Sequence, residues 1–246
     1  MKKVLLYLLA FTLLGTTFTY AKPPQKKAKS ETYLSKEEIP DMLKFLPAPP
    51  DTTSESFGHD VMRYFWGKQQ RLVKERAEIA IRDSYCNTPK ISAEFSGAFG
   101  VEITEENAPE IYKLVETTLR TADMVGNRPK KYYMRKRPFD RFKEQTLTPW
   151  DEEKLSHNGS YPSGHTIRGW TLALLLSEIA PEKADTLLAR GYMFGDSRVI
   201  VGAHWQSDVD AGRLASTAVY TLMHTKEAFT EQMRRAREEY RRLTSK

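Results

Sequence analysis

The clearest hydrophobic pattern in the chain follows Pro109, where apolar and small residues recur at helical spacing over about four turns. They are Ile111, Leu114, Val115, Thr118, Leu119, Ala122 and Val125. Similar amphipathic patterns predict helices over Phe57 to Ser84, over Ser207 to His224 and around Phe229 to Tyr240. The run Trp170 to Ile179 is apolar on all sides, which is typical of a buried helix.

Strand signals are weak throughout the sequence. No stretch keeps a sustained alternation of apolar and polar residues, and Asn158-Gly159 lies between polar segments and not between strands. Asn87 to Gly100 has no clear period, so we expect it to be irregular, and Pro181 is suited to the first turn of a further helix. The pattern therefore predicts an all-α protein with one helical domain over residues 51–246.

The first 50 residues have a different composition. Lys2 and Lys3 precede an apolar run, and Thr19-Tyr20-Ala21 offers a cleavage site, which predicts a secretory signal peptide over residues 1–21. Residues 22–50 form a basic leader followed by a Pro-rich segment that ends in Leu-Pro-Ala-Pro-Pro, typical of extended chain. We therefore expect a periplasmic protein without stable membrane insertion after cleavage, because no later apolar run reaches the roughly 20 residues of a membrane span.

The net charge and the cysteine count bear on two questions, whether the chain binds nucleic acid and whether it forms a disulfide. The formal net charge of +6 falls to +4 without Lys2 and Lys3, and much of the excess lies near the termini, which does not argue for nucleic acid. The chain has one cysteine, so no intramolecular disulfide can form. A periplasm permits disulfides but does not require them.

One stretch, Asn158 to Gly169, combines turn-forming residues with the start of the apolar Trp170 helix. A small-residue turn that leads into a helix exposes backbone N–H groups at the positive end of the helix dipole, which suits an anion. His165 stands within this turn. Taken alone, the stretch could equally be an ordinary helix start with an incidental histidine.

Two further blocks flank this stretch. Lys130 and Arg137-Pro138 lie upstream, and Arg198, His204 and Asp208 lie downstream. Together the three blocks read K-x6-R-P, P-S-G-H and S-R-x5-H-x3-D, which resembles the signature of the type-2 phosphatidic acid phosphatase superfamily. Within it, F-S-G-A-F-G, Y-M-R-x-R-P-F and H-W-Q-S-D-V-D-A most resemble the bacterial class A nonspecific acid phosphatases. The likeness runs from about Leu46 to the last helix and implies a compact helical bundle with its active site at helix termini.

The resemblance implies a role for each matching residue. Phosphate would be held by Lys130, Arg137, Ser163, Gly164 and Arg198, including the backbone N–H groups of Ser163 and Gly164. His204 would be the nucleophile, Asp208 would orient it, and His165 would be the general acid and then the base. A phosphate monoester carries negative charge on several oxygens, so three cations suit its binding and its reaction. Neither a metal nor another cofactor is implied.

Simpler interpretations compete at several positions. On a helix, the four-residue spacing would put His204 and Asp208 on one face, but Asp208 could also merely cap the Ser207 helix. Arg135 and Lys136 are expected to be solvated surface cations, and Asp210 lies too far along to share the face of His204. His59, His157 and His224 are expected to be surface or structural residues. The chain departs from the family pattern at Lys131, Tyr132 and Val201.

The sequence thus favours a periplasmic, metal-independent acid phosphatase of broad specificity for small phosphomonoesters. It would act through a phosphohistidine, could transfer phosphate to alcohols, and is expected to form a homo-oligomer. The alternatives are an enzyme like the vanadate-dependent haloperoxidases, or a non-catalytic phosphate-binding protein. The short chain and the class A motifs argue against the first, and the two histidines and Asp208 would be superfluous in the second.

Overall fold

The computed structural model describes residues 31–245, and these residues form helices and loops without a β-strand. The α-helices are α1 Met42–Phe45, α2 Glu55–Gln70, α3 Lys74–Arg82, α4 Thr88–Phe99, α5 Pro109–Asp123, α6 Asn127–Tyr133, α7 Pro138–Phe142, α8 Glu152–Ser156, α9 Gly164–Ile179, α10 Ala184–Val201, α11 Gln206–Met223 and α12 Glu227–Thr244. Short 3₁₀ helices span Pro149–Asp151 and Pro181–Lys183. The predicted all-α class is confirmed.

Helix α9 is the centre of the bundle. It packs against α10, α11 and α5, and α12 covers the outer side of α5. Leu172, Leu175 and Leu176 of α9 are completely buried, as are Leu114 and Leu119 of α5. Burying such side chains is the main source of stability in a helical bundle, and here it fixes the N-terminus of α9 against its neighbours.

The predicted helix over Phe57 to Ser84 is instead two helices, α2 and α3, separated by a turn at Arg71–Val73. The Arg71 guanidinium donates to the carbonyl oxygens of Ile200 (2.6 Å) and Val201 (3.1 Å) at the end of α10. These contacts satisfy carbonyl groups that the end of α10 leaves unpaired. A tertiary contact therefore accompanies the break, and helical periodicity alone does not reveal it.

The prediction that Asn87 to Gly100 is irregular is wrong, because Thr88–Phe99 forms α4. The Asn87 side chain accepts a hydrogen bond from the Lys90 N–H (3.0 Å), and Pro89 lies in the first turn. Gly100 ends the helix at φ +79°, a left-handed conformation that glycine adopts without strain. These are ordinary helix-end signals, and they outweigh the weak period of the segment.

The segment before α2 contributes to the core as well as to the surface. Leu34, Met42 and Leu46 are buried in the main apolar cluster. The predicted signal peptide over residues 1–21 and the start of the leader lie outside the described residues. In the described part of the chain, no helix combines the length and the apolar character that crossing a membrane requires.

Candidate active site

A cavity of about 340 Å³ opens at the N-terminus of α9. Five of the predicted site residues line it directly: Lys130, Arg137, Gly164, His165 and His204. Its remaining wall includes Cys86, Ala122, Asp123, Gly126, Asn127, Lys154, Leu155, Asn158, Ile167 and Arg168. Ser163, Arg198 and Asp208 are fully buried behind this lining. The three sequence blocks therefore meet at one place in the fold.

The turn between α10 and α11 brings Arg198 and His204 together. Gly202 ends α10 at φ +90° and so reverses the chain within a few residues. The N–H groups of Ala203 and His204 both donate to the carbonyl oxygen of Arg198, at 3.1 and 3.2 Å. This tight turn fixes His204 relative to the last turn of α10.

His204 and Asp208 form a buried pair. Nδ1 of His204 lies 3.3 Å from Oδ2 of Asp208, and Nε2 lies 3.0 Å from Nη1 of Arg137. Because a guanidinium can only donate, Nε2 must carry the lone pair and Nδ1 the proton. Burial and the charge of Arg137 lower the pKa of His204 well below its usual value. His204 is therefore a neutral imidazole whose Nε2 lone pair faces Arg137, and both residues line the cavity.

The geometry of this pair differs from the predicted one. His204 precedes α11, which begins at Gln206, so the two side chains meet across the helix start and not along one helical face. Oδ2 of Asp208 also accepts a hydrogen bond from the Trp205 N–H (2.9 Å). Asp208 therefore caps α11 and contacts His204 at the same time. The two roles that the sequence offered as alternatives, helix cap and partner of His204, are both filled by this carboxylate.

Asp208 accepts hydrogen bonds from four groups. Besides His204 and the Trp205 N–H, they are the Ser160 hydroxyl and Nη1 of Arg135 at 2.5 Å. Burial alone would raise the pKa of Asp208, but the bond from His204 and the charge of Arg135 outweigh it and hold the pKa well below the usual range. Asp208 is therefore an anion at the pH of any plausible assay.

Arg135 corrects a sequence prediction, because it is not a solvated surface cation. Its side chain is only 9% exposed and contacts Asp208, Oδ2 of Asp60 (2.7 Å) and the Ser207 hydroxyl (2.8 Å). The neighbouring Lys136 is 53% exposed and lies 3.7 Å from Asp140, as expected for a surface lysine. Arg135 thus joins Asp208 to α2 through Asp60.

Lys130 and Arg137 are held in the cavity wall by backbone carbonyl groups. Lys130 Nζ donates to Gly159 (3.0 Å), and Arg137 donates to Leu155 (2.9 Å) and Ala203 (3.0 Å). Burial and the charge of Arg137 lower the pKa of Lys130 to about 7, and burial lowers that of Arg137 to about 10. Two partly desolvated cations therefore border the lone pair of His204.

Ser84 connects Arg198 to His165. Its hydroxyl oxygen accepts a bond from Nη1 of Arg198 (2.5 Å), and its carbonyl oxygen lies 3.0 Å from Nε2 of His165. Because a carbonyl only accepts, Nε2 of His165 carries a proton, and Nδ1 is the atom available to a ligand. Among the described residues, Nε and Nη2 of Arg198 are buried without a partner, so an anion would supply the missing acceptors.

The pKa of His165 is also lowered well below its usual value, by burial and by the charge of Arg198. Its ordinary pKa near 6.5 therefore cannot by itself explain protonation at mildly acidic pH. A bound phosphate dianion would reverse this effect, because an opposite charge nearby favours the imidazolium.

Ser163 and Gly164 begin α9, but only part of their predicted role is available. The Ser163 N–H donates to the Asp208 carbonyl oxygen (2.9 Å), so this N–H is not free for a phosphoryl oxygen. The Ser163 hydroxyl caps the helix by accepting from the Thr166 N–H (3.3 Å). Gly164 is the first residue of α9, where backbone N–H groups have no carbonyl partner within the helix.

The other histidines and acidic residues singled out in the sequence lie elsewhere. His59 and His157 are exposed, and His224 pairs with Glu178 at 3.1 Å. Asp210 contacts Arg213 (2.9 Å) and not His204. Of the positions that depart from the family pattern, Lys131 and Tyr132 are exposed, whereas Val201 is buried in an apolar cluster with Ala80, Ile200 and Ala203.

Sequence reasoning missed Asp60, Ser84, Arg135 and Ser160. Arg135 and Ser160 lie within the recognised blocks, which is the only signal that could have drawn attention to them. Asp60 comes from α2 and Ser84 from the turn after α3, and neither has a local signature. In residues 31–245, no group of three or more His, Cys, Asp or Glu side chains is arranged to bind a metal ion.

Comparison with known proteins agrees with this arrangement. Residues 114–230 match the family model described as the PAP2 superfamily. The chain is 41% identical to a non-specific acid phosphatase of Providencia stuartii over 99% of both chains. It is 40% identical to the non-specific acid phosphatase of Salmonella typhimurium, over 85% of this chain and 84% of the relative. An acid phosphatase of Zymomonas mobilis is 36% identical over 81% of this chain and 75% of the relative.

The helical fold and the site made from the three blocks define a member of the PAP2 superfamily. Within that superfamily, the chain belongs to the non-specific acid phosphatases, which are phosphoric monoester hydrolases.

Proposed function

We propose that this protein is a periplasmic acid phosphatase that hydrolyses a broad range of phosphate monoesters through a phosphohistidine at His204. The observation that carries the proposal is the orientation of His204. Its Nδ1–H faces Asp208, and its Nε2 lone pair faces Arg137, a cation that lines the cavity with it. This arrangement uses a carboxylate to orient a histidine, as in a catalytic triad, but makes the histidine the nucleophile.

In the first step, the phosphoryl oxygens are held by Lys130, Arg137, Arg198 and the N-terminus of α9. The Arg137 guanidinium releases Nε2 of His204 and turns to the phosphoryl oxygens, which leaves the lone pair free to attack. The bond from Nε2 to phosphorus forms while the bond from phosphorus to the ester oxygen breaks. With the substrate dianion bound, His165 is an imidazolium, and its Nδ1 gives a proton to the departing oxygen. The positive charge on the phosphorylated imidazole is balanced by Asp208.

In the second step, a water molecule attacks the phosphorus of the phosphohistidine. Nδ1 of His165, now neutral, takes a proton from this water, and the bond between phosphorus and Nε2 breaks. Inorganic phosphate leaves and both histidines return to their starting forms. An alcohol in the place of water would give a new phosphate ester, which is the basis for the proposed transferase activity.

We expect the activity to be highest at acidic pH, because of the charges on Lys130 and His165. At low pH, Lys130 is a cation and His165 can be protonated by the combined effect of solvent protons and the substrate's negative charge. The cations take the part that a metal ion would otherwise have in phosphoryl transfer. We therefore expect the activity to be independent of added metal.

The test is a panel of phosphomonoesters assayed at several pH values, with and without chelator, on the purified mature protein. His204→Ala should abolish turnover of every substrate, whereas His224→Ala, at an exposed histidine outside the cavity, should retain it. Comparable activity in both variants would show that the nucleophile lies elsewhere. Loss of wild-type activity in chelator, restored by a divalent metal, would contradict the metal-independent mechanism.

Export and assembly need separate measurements. Intact mass of the protein isolated from its host should begin at Lys22, and a protein that retains Met1 would contradict export by a cleaved signal. Light scattering of the mature protein should give the mass of a homo-oligomer, whereas a monomer mass would contradict that expectation.

A further inference from the structure

Two exposed aromatic rings belong to residues that are close in sequence to lining residues of the catalytic cavity, and they have no part in the mechanism above. The rings of Tyr85 and Trp150 are nearly parallel, with an interplanar angle of 15° and centroids 6.3 Å apart. Tyr85 is 48% exposed and Trp150 is 56% exposed. Among the described residues, this is the one close aromatic pair in which both rings are exposed.

Both residues are tied in sequence to groups that form the cavity. Tyr85 lies between Ser84, which contacts His165 and Arg198, and Cys86, which lines the cavity. Consecutive Cα atoms are about 3.8 Å apart, so the Tyr85 backbone lies at the cavity wall. Trp150 precedes α8, whose Lys154 and Leu155 also line the cavity. The ring pair therefore connects two segments of the chain that both contribute lining residues to the cavity.

The backbones that carry the rings are fixed. Tyr85 follows α3 in a turn closed by its N–H and the Arg82 carbonyl oxygen (3.0 Å). Trp150 lies in a 3₁₀ helix, and the loop before it is held by two bonds from Thr146 to Glu152, at 2.7 and 2.8 Å. A backbone held in this way has less conformational freedom to lose when a ligand binds, which favours the use of the pair as a binding surface.

We propose that Tyr85 and Trp150 form a binding surface for a planar aromatic group on the leaving-group side of the substrate. The inference rests on the proposed phosphatase function, because it assumes that the phosphoryl group lies at His204. Stacking on an aromatic side chain needs a flat π surface and no particular pattern of hydrogen bonds. Such a surface raises affinity for aromatic phosphomonoesters as a class, such as nucleoside monophosphates, and still permits aliphatic ones.

The experiment compares adenosine 5′-monophosphate with ribose 5-phosphate, which lacks the base but keeps the sugar and the phosphate ester. Phenyl phosphate is the third substrate, because its ring is bonded directly to the ester oxygen. The variants are Tyr85→Leu, Trp150→Leu and both together, which keep apolar bulk and remove the π surface. Tyr85→Phe keeps the ring, and Tyr192→Leu changes a tyrosine that is 50% exposed and does not line the cavity.

Loss of one stacked ring is expected to raise the KM for adenosine 5′-monophosphate by about 5- to 150-fold, with kcat little changed. The KM for ribose 5-phosphate should stay within about twofold of wild type, and Tyr85→Phe and Tyr192→Leu should behave like wild type. A KM effect on the nucleotide alone assigns the rings to a base carried on a sugar. An effect on phenyl phosphate as well assigns them to any aromatic ester.

Equal changes for the nucleotide and ribose 5-phosphate, or no change for any aromatic substrate, would overturn the proposal. Failure of the phosphatase function itself is recognised separately, because wild-type protein would then hydrolyse none of the three substrates. Inhibition by inorganic phosphate gives a further check. It should be the same in all variants if the rings contact only the leaving group.

Discussion

Replacing Arg135 with methionine removes the one guanidinium that contacts both Asp208 and Asp60. The two carboxylates are almost completely buried, with 0% and 1% of their side chains exposed. In the wild type, Arg135 lies 2.5 Å from Asp208 and 2.7 Å from Asp60. The variant would leave two buried negative charges without this shared cation.

The expected cost follows from that arrangement. Breaking a buried ion pair by removing one partner typically destabilises a protein by about 3–5 kcal/mol, because the other charge stays buried. For a protein of this size, that loss lowers the melting temperature by roughly 6–20 °C. The variant also removes a charge that lowers the pKa of Asp208. Because Asp208 orients His204, kcat should fall more than KM rises.

The assay combines urea denaturation with steady-state kinetics, and Lys136→Met is the matched control. Lys136 is the adjacent residue, also a cation, but it is exposed, so its loss should change stability by less than about 0.5 kcal/mol. Arg135→Lys keeps a charge without the planar fork and should be intermediate. Adding Asp60→Asn to Arg135→Met should recover part of the lost stability. If Arg135→Met and Lys136→Met were indistinguishable, the role assigned to Arg135 would be wrong.

Three further predictions concern groups in the cavity. Lys130 has a pKa of about 7, so it is a cation below that pH and loses its charge as the pH rises through it. The ratio of wild-type to Lys130→Gln affinity for vanadate should therefore fall as the pH rises through about 7. A ratio that stays constant would contradict this. Asp208→Asn should lower kcat by about 10²–10⁴-fold, because an amide cannot accept from all four donors and no longer fixes the tautomer of His204. A variant with wild-type kcat would contradict the role of Asp208 in orienting His204. His165→Ala should lower the rate of the first step by about 10²–10⁴-fold with an alkyl phosphate. The rate with para-nitrophenyl phosphate should fall much less, because its leaving group needs little protonation. Equal losses of rate in single-turnover experiments would contradict the role of His165 as the acid.

The sequence predicts the helical class well, because the strongest apolar patterns are long. The pattern after Pro109 corresponds to α5, and those near the C-terminus correspond to α11 and α12. The break between α2 and α3 was not predictable, since it involves contacts between Arg71 and the end of α10. Helix α4 could have been predicted from Asn87, Pro89 and Gly100, whose capping signals are local.

In the site, as in the fold, some features follow from local sequence and others depend on tertiary contacts. The motifs name five of the residues that line the cavity and the buried Ser163, Arg198 and Asp208, because those residues lie in short blocks with fixed spacing. The residues that support them come from other parts of the fold: Asp60 from α2 and Ser84 from the turn after α3. Spacing also suggested the wrong geometry for His204 and Asp208, because it cannot show that α11 begins between them.

The most direct test of the account is to find the phosphoryl group on His204. In His165→Ala, the second step lacks its base, so mixing with para-nitrophenyl phosphate and quenching rapidly into alkaline denaturant should trap the intermediate. Peptide mass analysis should then locate one phosphoryl group on the peptide that contains His204, and the double variant with His204→Ala should carry none. Continued turnover without a trapped phosphoenzyme, or a phosphoryl group on any other residue, would contradict the proposed mechanism.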